Sequence, residues 1–332
     1  MENQADIQIQ LFQKIRDQLS GHISLVDEIA EVLEISNDSS YRRIRGEKAL
    51  SIHEVQKLAG HYNFSVDDLT GNRFDSVTFK TSFLDGENYS FQDWLGNLLQ
   101  VTLETVSADQ AEVLFILNEL NIFHIIQFPE VCAFKLFYWQ KSNLNFRNYR
   151  DTHFSIGNLD EDILKVSREI ADHFVKVNTI EFTTEECLNS YLKQVLYYSE
   201  AGYFSSRNDA TALCDELLEL VNHQQKQAEL GFKFLYGRPP VGKEGNLRLY
   251  HNDIILADNT IIIKAGEMLS TFLTTNAINL MQTHNRAFCE YNYQWGMNLL
   301  SKSAPISGTA EKERNRFFLK LREQIDKVAG QL

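Results

Sequence analysis

Apolar residues recur at helical spacing through the first part of the chain. Leu11, Phe12, Ile15 and Leu19 form one face of a leading helix. Leu25, Ile29 and Leu33 repeat every four residues, with Val26 and Val32 beside them and Asp27, Glu28, Glu31 and Glu34 outward. Ser24 stands where an N-cap belongs, and Ala30 is small enough to let a second helix cross closely. Ile35 then leads into Ser36, Asn37 and Asp38, which favour turns and caps. In the short helix that follows, Tyr41 and Ile44 are the apolar residues, and their i,i+3 spacing puts them on one face. That arrangement points Ser39, Arg42 and Arg43 the opposite way, with Asp38 and Arg45 on the flanks. Gly46 is placed to end the helix. Ser51 and Glu54 make a capping box ahead of the stripe Ile52, Val55, Leu58, Ala59 and Tyr62, and residues 65–69 start one more helical turn. The pattern predicts five short helices within residues 1–72.

Beyond them, residues 73–88 are polar and broken, and read as a linker. A helix is expected over 90–106. Residues 112–117 fit either a strand or a buried helix, which periodicity cannot separate. Residues 122–139 are the most apolar stretch, and aromatics continue through Phe146, Tyr149 and Phe154. Such density suits a core or dimer interface, or alternatively the lining of a pocket for a small apolar effector. Helical patterns follow at 160–177, 183–199 and 208–235, the second opening on the capping-box residues Thr183 and Glu186. Residues 254–257 and 260–264, joined at Asp258 and Asn259, read as a β-hairpin to which 268–273 adds a third strand. Helices close the chain at 285–300 and 310–328. The expected fold is therefore mainly α: a five-helix N-terminal bundle over 1–72, then a larger helical C-terminal domain over 89–332 containing a small antiparallel β-sheet. A further division near residue 240 stays open.

Composition changes this picture in a few places. A hydrophobic fraction of 43%, with only 4 prolines in 332 residues, argues against disorder. A net charge of −13 disfavours a general nucleic-acid coat, and even residues 1–74 carry 8 basic against 12 acidic side chains. Cys132, Cys187, Cys214 and Cys289 are far apart in sequence, as suits reduced thiols in the cytoplasm. The N-terminus lacks a basic-plus-apolar leader and no apolar run is long enough to span a bilayer, so a membrane role is not expected. Residues 237–243 match seven positions of a phosphate-binding loop, but Glu244 stands where Ser or Thr should meet magnesium, and Pro239 and Pro240 remove two amide donors. The histidines show no metal-ligand spacing, so no cofactor, metal or catalytic residue is assigned.

The run from Leu25 to Leu69 resembles the lambda-repressor-like, Cro-type helix-turn-helix domain. Within that group it is similar to the BetR-type N-terminal domain of bacterial regulators. The resemblance rests on Ile29–Ala30 in the first helix, Ile35–Ser36 at the turn, the basic second helix ending at Gly46, and Lys57–Leu58–Ala59 followed by residues 64–69. It covers about a fifth of the chain. The pair Tyr41 and Ile44 lies one residue later than in many members, so Ser36 or Asn37 caps the second helix. The resemblance implies a sequence-specific regulator binding double-stranded DNA as a homodimer joined through its C-terminal domain. Arg42 and Arg43, with Ser39, would meet base edges; Arg45, Lys48 and His53 would hold phosphates, and Asn37 belongs to the same DNA-binding set. The alternatives are a scaffold whose bundle binds a protein partner, and an enzyme with a helix-turn-helix appendage.

Overall fold

The computed structural model describes residues 4–19, 23–62, 64, 77–84, 90–158, 160–252, 259–276 and 278–332. The chain forms two compact units, Met1–Thr78 and Phe79–Leu332.

Four helices make up the described part of the first unit: α1 (Gln4–Gln18), α2 (Leu25–Leu33), α3 (Asn37–Ile44) and α4 (Ile52–Tyr62). Their apolar faces meet in one cluster built from Leu11, Phe12, Ile15, Ile29, Leu33 and Leu58. The predicted fifth turn at 65–69 lies outside the described residues. Ser24 precedes α2 without making a side-chain cap bond.

In the second unit, eight strands form one mixed sheet in the order β1-β7-β6-β5-β2-β3-β4-β8. They are β1 (Lys80–Thr81), β2 (Glu112–Ile116), β3 (Asn178–Thr183), β4 (Leu247–His251), β5 (Thr260–Ala265), β6 (Met268–Thr275), β7 (Asn279–Thr283) and β8 (Ala304–Pro305). Strands β2, β3 and β4 run parallel, and the remaining pairings are antiparallel. Among the described residues the sheet is accompanied by the α-helices α5 (Phe91–Ser107), α6 (Ile122–Ile125), α7 (Pro129–Tyr138), α8 (Glu161–Phe174), α9 (Asn189–Glu200), α10 (Arg207–Leu230), α11 (Arg286–Leu299) and α12 (Glu311–Ala329). Ser90 with Asp93 and Ser206 with Asp209 close capping boxes that start α5 and α10.

Alternation along β2 divides the core. Val113 and Phe115 join a large cluster with α5 to α10 and α12, whereas Leu114 and Ile116 pack with Ile180, Phe182 and Ile262 beneath α11. Gly296 allows that approach, since a Cβ there would lie 3.0 Å from Leu114 Cδ2. The aromatic segment is core: Phe128, Val131, Cys132 and Phe134 are fully buried, and Phe134 packs edge-on against Phe154 and Tyr198.

The expected small antiparallel sheet in a mainly α domain is therefore corrected to a large mixed sheet with helices on both faces. The stretch 112–117 is a strand. The sequence pattern does not signal β3 because the buried positions Thr179 and Glu181, on the face opposite α11, are polar where apolar residues would mark a strand. The expected helix at 183 starts only at Asn189; Thr183 ends β3, and the Thr184 hydroxyl accepts from the Glu186 amide in a turn. Part of the expected linker also belongs to the second unit, because β1 pairs with β7 and Leu84 is buried. Residues 260–273 do form an antiparallel pair, β5 with β6, while 254–257 lie outside the described residues. Among the described residues no helix is long and apolar enough to cross a membrane.

Candidate nucleic-acid interface

α2 and α3 are joined by a tight turn. Glu34 takes the left-handed conformation at φ 57°, and the Ile35 amide donates back to Ala30 O at 2.9 Å. Ser36 caps α3, its hydroxyl accepting from the Ser39 amide, which decides between the two expected caps. The Ser40 hydroxyl donates to Val26 O at 2.9 Å, and the Asn37 amide donates to Asp27 Oδ1 at 2.7 Å. Both bonds lock α3 against α2.

α3 is turned by about 100° from the orientation its apolar pair predicts, which is one residue's worth of rotation. Ser40 and Arg43 face inward, Ser39 and Ile44 lie on the flanks, and Asn37, Asp38, Tyr41, Arg42 and Arg45 form the exposed arc. Tyr41 is 48% exposed and Arg43 only 5%. Burying Arg43 needs an anion, and Glu54 supplies it: Arg43 Nη2 donates to Glu54 Oε1 at 2.6 Å, and Nη1 donates to Ser39 O at 3.0 Å. The other oxygen of Glu54 accepts from the Ser51 amide, so the capping box of α4 also neutralises α3. Burial raises the Glu54 carboxyl, but the Ser51 amide and the Arg43 guanidinium outweigh it and hold it below the ordinary carboxylate range. Arg43 is thereby removed from the expected base-contacting set, and Ser39 is displaced to its edge.

Past α3, Gly46 adopts φ 76°, and the amides of Glu47 and Lys48 return to Arg42 O. The loop is held from behind by Gln8 of α1, whose amide donates to Arg43 O at 2.6 Å and to Lys48 O at 2.9 Å while its oxygen accepts from the Leu50 amide. This leaves the Lys48 side chain exposed beside the arc. Arg45 lies over the Tyr41 ring at 5.5 Å and 3.5 Å from Glu47 Oε1. His53 is exposed in the first turn of α4. Two residues of this surface are not legible from the sequence pattern: Tyr41, whose i,i+3 spacing with Ile44 points to the core although it is exposed, and Gln8, which lies outside the motif in sequence.

The second unit holds a polar cluster of another kind. Glu181 of β3 accepts from His124 Nε2 at 2.8 Å, from the Asn121 amide at 3.3 Å and from the Thr179 hydroxyl at 3.0 Å. Lys233 Nζ donates to Val177 O, Thr179 Oγ1 and Asn246 O within 2.9 Å. Burial raises the Glu181 carboxyl, yet His124 and Lys233 hold it well below the usual range; burial pushes the Lys233 amine down, against the pull of Glu181. The adjoining cavity measures only about 30 Å3, too small for a substrate, so the cluster ties elements together. Residues 237–243 form a loop between α10 and β4, with Gly242 so close to Phe232 and Lys233 O that no side chain fits. A helix-to-strand loop lacks the helix N-terminus that a phosphate-binding loop presents. Comparison of the chain with protein families, with curated proteins and with solved structures gives no match.

Proposed function

We propose that this chain is a cytoplasmic transcriptional regulator that binds a specific double-stranded DNA site through α3. The observation that carries this reading is the exposed arc of α3, where Arg42 and Arg45 project beside Tyr41 and Asn37 on a helix fixed by α1, α2 and Glu54, with Lys48 exposed in the loop past Gly46. An exposed helix face tethered in this way suits the major groove. In this reading Arg42 and Asn37 meet base edges, Arg45 and Lys48 take phosphates, and His53 sits toward the backbone. Asp38 on the same arc opposes indiscriminate phosphate binding, which fits a protein that selects its site. One module makes few contacts, so two copies are proposed to act on a two-fold site through the second unit. Exposure of Tyr291 at 72% and Trp295 at 38% on α11 supports that unit as the dimerising part.

The test is selection of bound duplexes from a randomised pool, followed by titration of the selected and scrambled sequences. The expected result is an enriched two-fold site and a loss of about 1–3 kcal/mol for Arg42→Ala on that site alone. Failure to enrich any sequence at low salt would overturn the proposal and favour a protein partner for the same arc.

A further inference from the structure

A cavity of about 260 Å3 lies between α5 and the sheet. The strand register builds its floor. Phe115 stands opposite Ile261, Ile261 opposite Phe272, Phe272 opposite Gln282, and Gln282 opposite Lys80. Cross-strand partners project from the same face, so one row runs from an apolar interior to an exposed amine. Trp94, Leu98 and Val101 of α5 line the opposite side. Thr102 and Thr105 also line it, but their hydroxyls each donate at 2.7 Å to carbonyls of α5, to Leu98 O and Val101 O, and are already satisfied.

The charged groups of the lining, Lys80 and Glu104, are exposed at its rim, where Glu104 already accepts from the Gln100 amide at 2.7 Å, while Trp94 Nε1 and the Thr81 hydroxyl are buried without a partner. Among the described residues no carboxylate forms an ion pair with Lys80. Protein interiors are otherwise close-packed, and apolar voids of this kind take up apolar molecules. The volume falls just under the range of about 300–1,000 Å3 usual for drug-sized ligands, which sets an upper limit on the occupant.

We infer that this cavity binds a small amphipathic carboxylate, a medium-chain fatty acid or an arylalkanoic acid, with its apolar body between α5 and the sheet and its carboxylate at Lys80. The inference does not depend on DNA binding, and its test contains no DNA. Decanoate and decanol are titrated into the full chain by calorimetry, with tryptophan fluorescence as a second readout because Trp94 lines the site. Saturable decanoate binding is expected. Lys80→Glu, at an exposed position, should weaken decanoate at least tenfold and leave decanol unchanged, whereas Val101→Trp should abolish both by filling the space. Absence of saturable decanoate binding overturns the inference, as does undiminished binding in folded Val101→Trp. Unchanged decanoate affinity in Lys80→Glu overturns it too, and that variant keeps the test decisive if Val101→Trp fails to fold.

Discussion

Arg42 and Arg43 are adjacent and do opposite work. Arg43 is buried against Glu54, so Arg43→Ala strands a largely buried carboxylate and should destabilise the first unit by about 3 kcal/mol. Arg42 is exposed, and Arg42→Ala should change stability by no more than about 0.5 kcal/mol. Trp94, Trp139 and Trp295 all lie in the second unit, so tryptophan fluorescence does not follow this difference. Hydrogen exchange of the α3 and α4 amides in the full chain does, and equal protection in both variants would refute the assignment. The pair also sets an acid limit. Because the Glu54 carboxyl is depressed on folding, its contribution is fully present above the ordinary carboxylate value and is lost as pH falls through the depressed one. Exchange protection of α3 should therefore fall with acid in the parent chain, and the part due to Glu54 should shrink in Arg43→Ala.

Whether an element can be read from sequence depends on what its buried face carries. α2, α5 and α12 bury apolar residues at steps of three and four, and their patterns are visible directly. α3 buries Ser40 and Arg43, so its apolar pair Tyr41 and Ile44 points to a face about one residue's rotation from the buried one. The useful clue was Glu54, an acid within a capping box that follows a basic helix. β3 hides for the same reason: Glu181 stands at a core position, and its partners Lys233 and His124 are each more than fifty residues away in sequence. That network fixes β3 to α6 and to the segment before β4. Glu181→Gln should leave Lys233 as an uncompensated buried cation and cost about 3–5 kcal/mol in the second unit. Glu181→Gln with Lys233→Met should recover much of that loss, since replacing both charges avoids the unpaired one. Urea unfolding followed by tryptophan fluorescence measures both, and a double variant no more stable than the single would mean the two side chains are not coupled.

For the whole molecule, the central tension is a proposed DNA-binding face on a chain of net charge −13. The phosphate-directed side chains are few: Arg45 and Lys48 in each copy. Each phosphate contact lowers the slope of log affinity against log salt by about 0.9, so two copies on one site should give a slope of roughly −4, and a single copy roughly −2. Acidic residues over the remaining surface add no compensating attraction, which keeps affinity for scrambled duplexes low. Lys48→Ala removes one contact per copy and should shift the two-copy slope by about 2 while preserving the preferred sequence. Titrations over a range of salt concentrations, run beside sedimentation of the free protein, separate the cases. A dimer with a slope near −4 agrees with both parts of the reading, and a monomer near −2 removes the two-fold site but keeps the groove contact. A steep slope shared equally by selected and scrambled DNA would instead mean that the arc on α3 recognises charge alone.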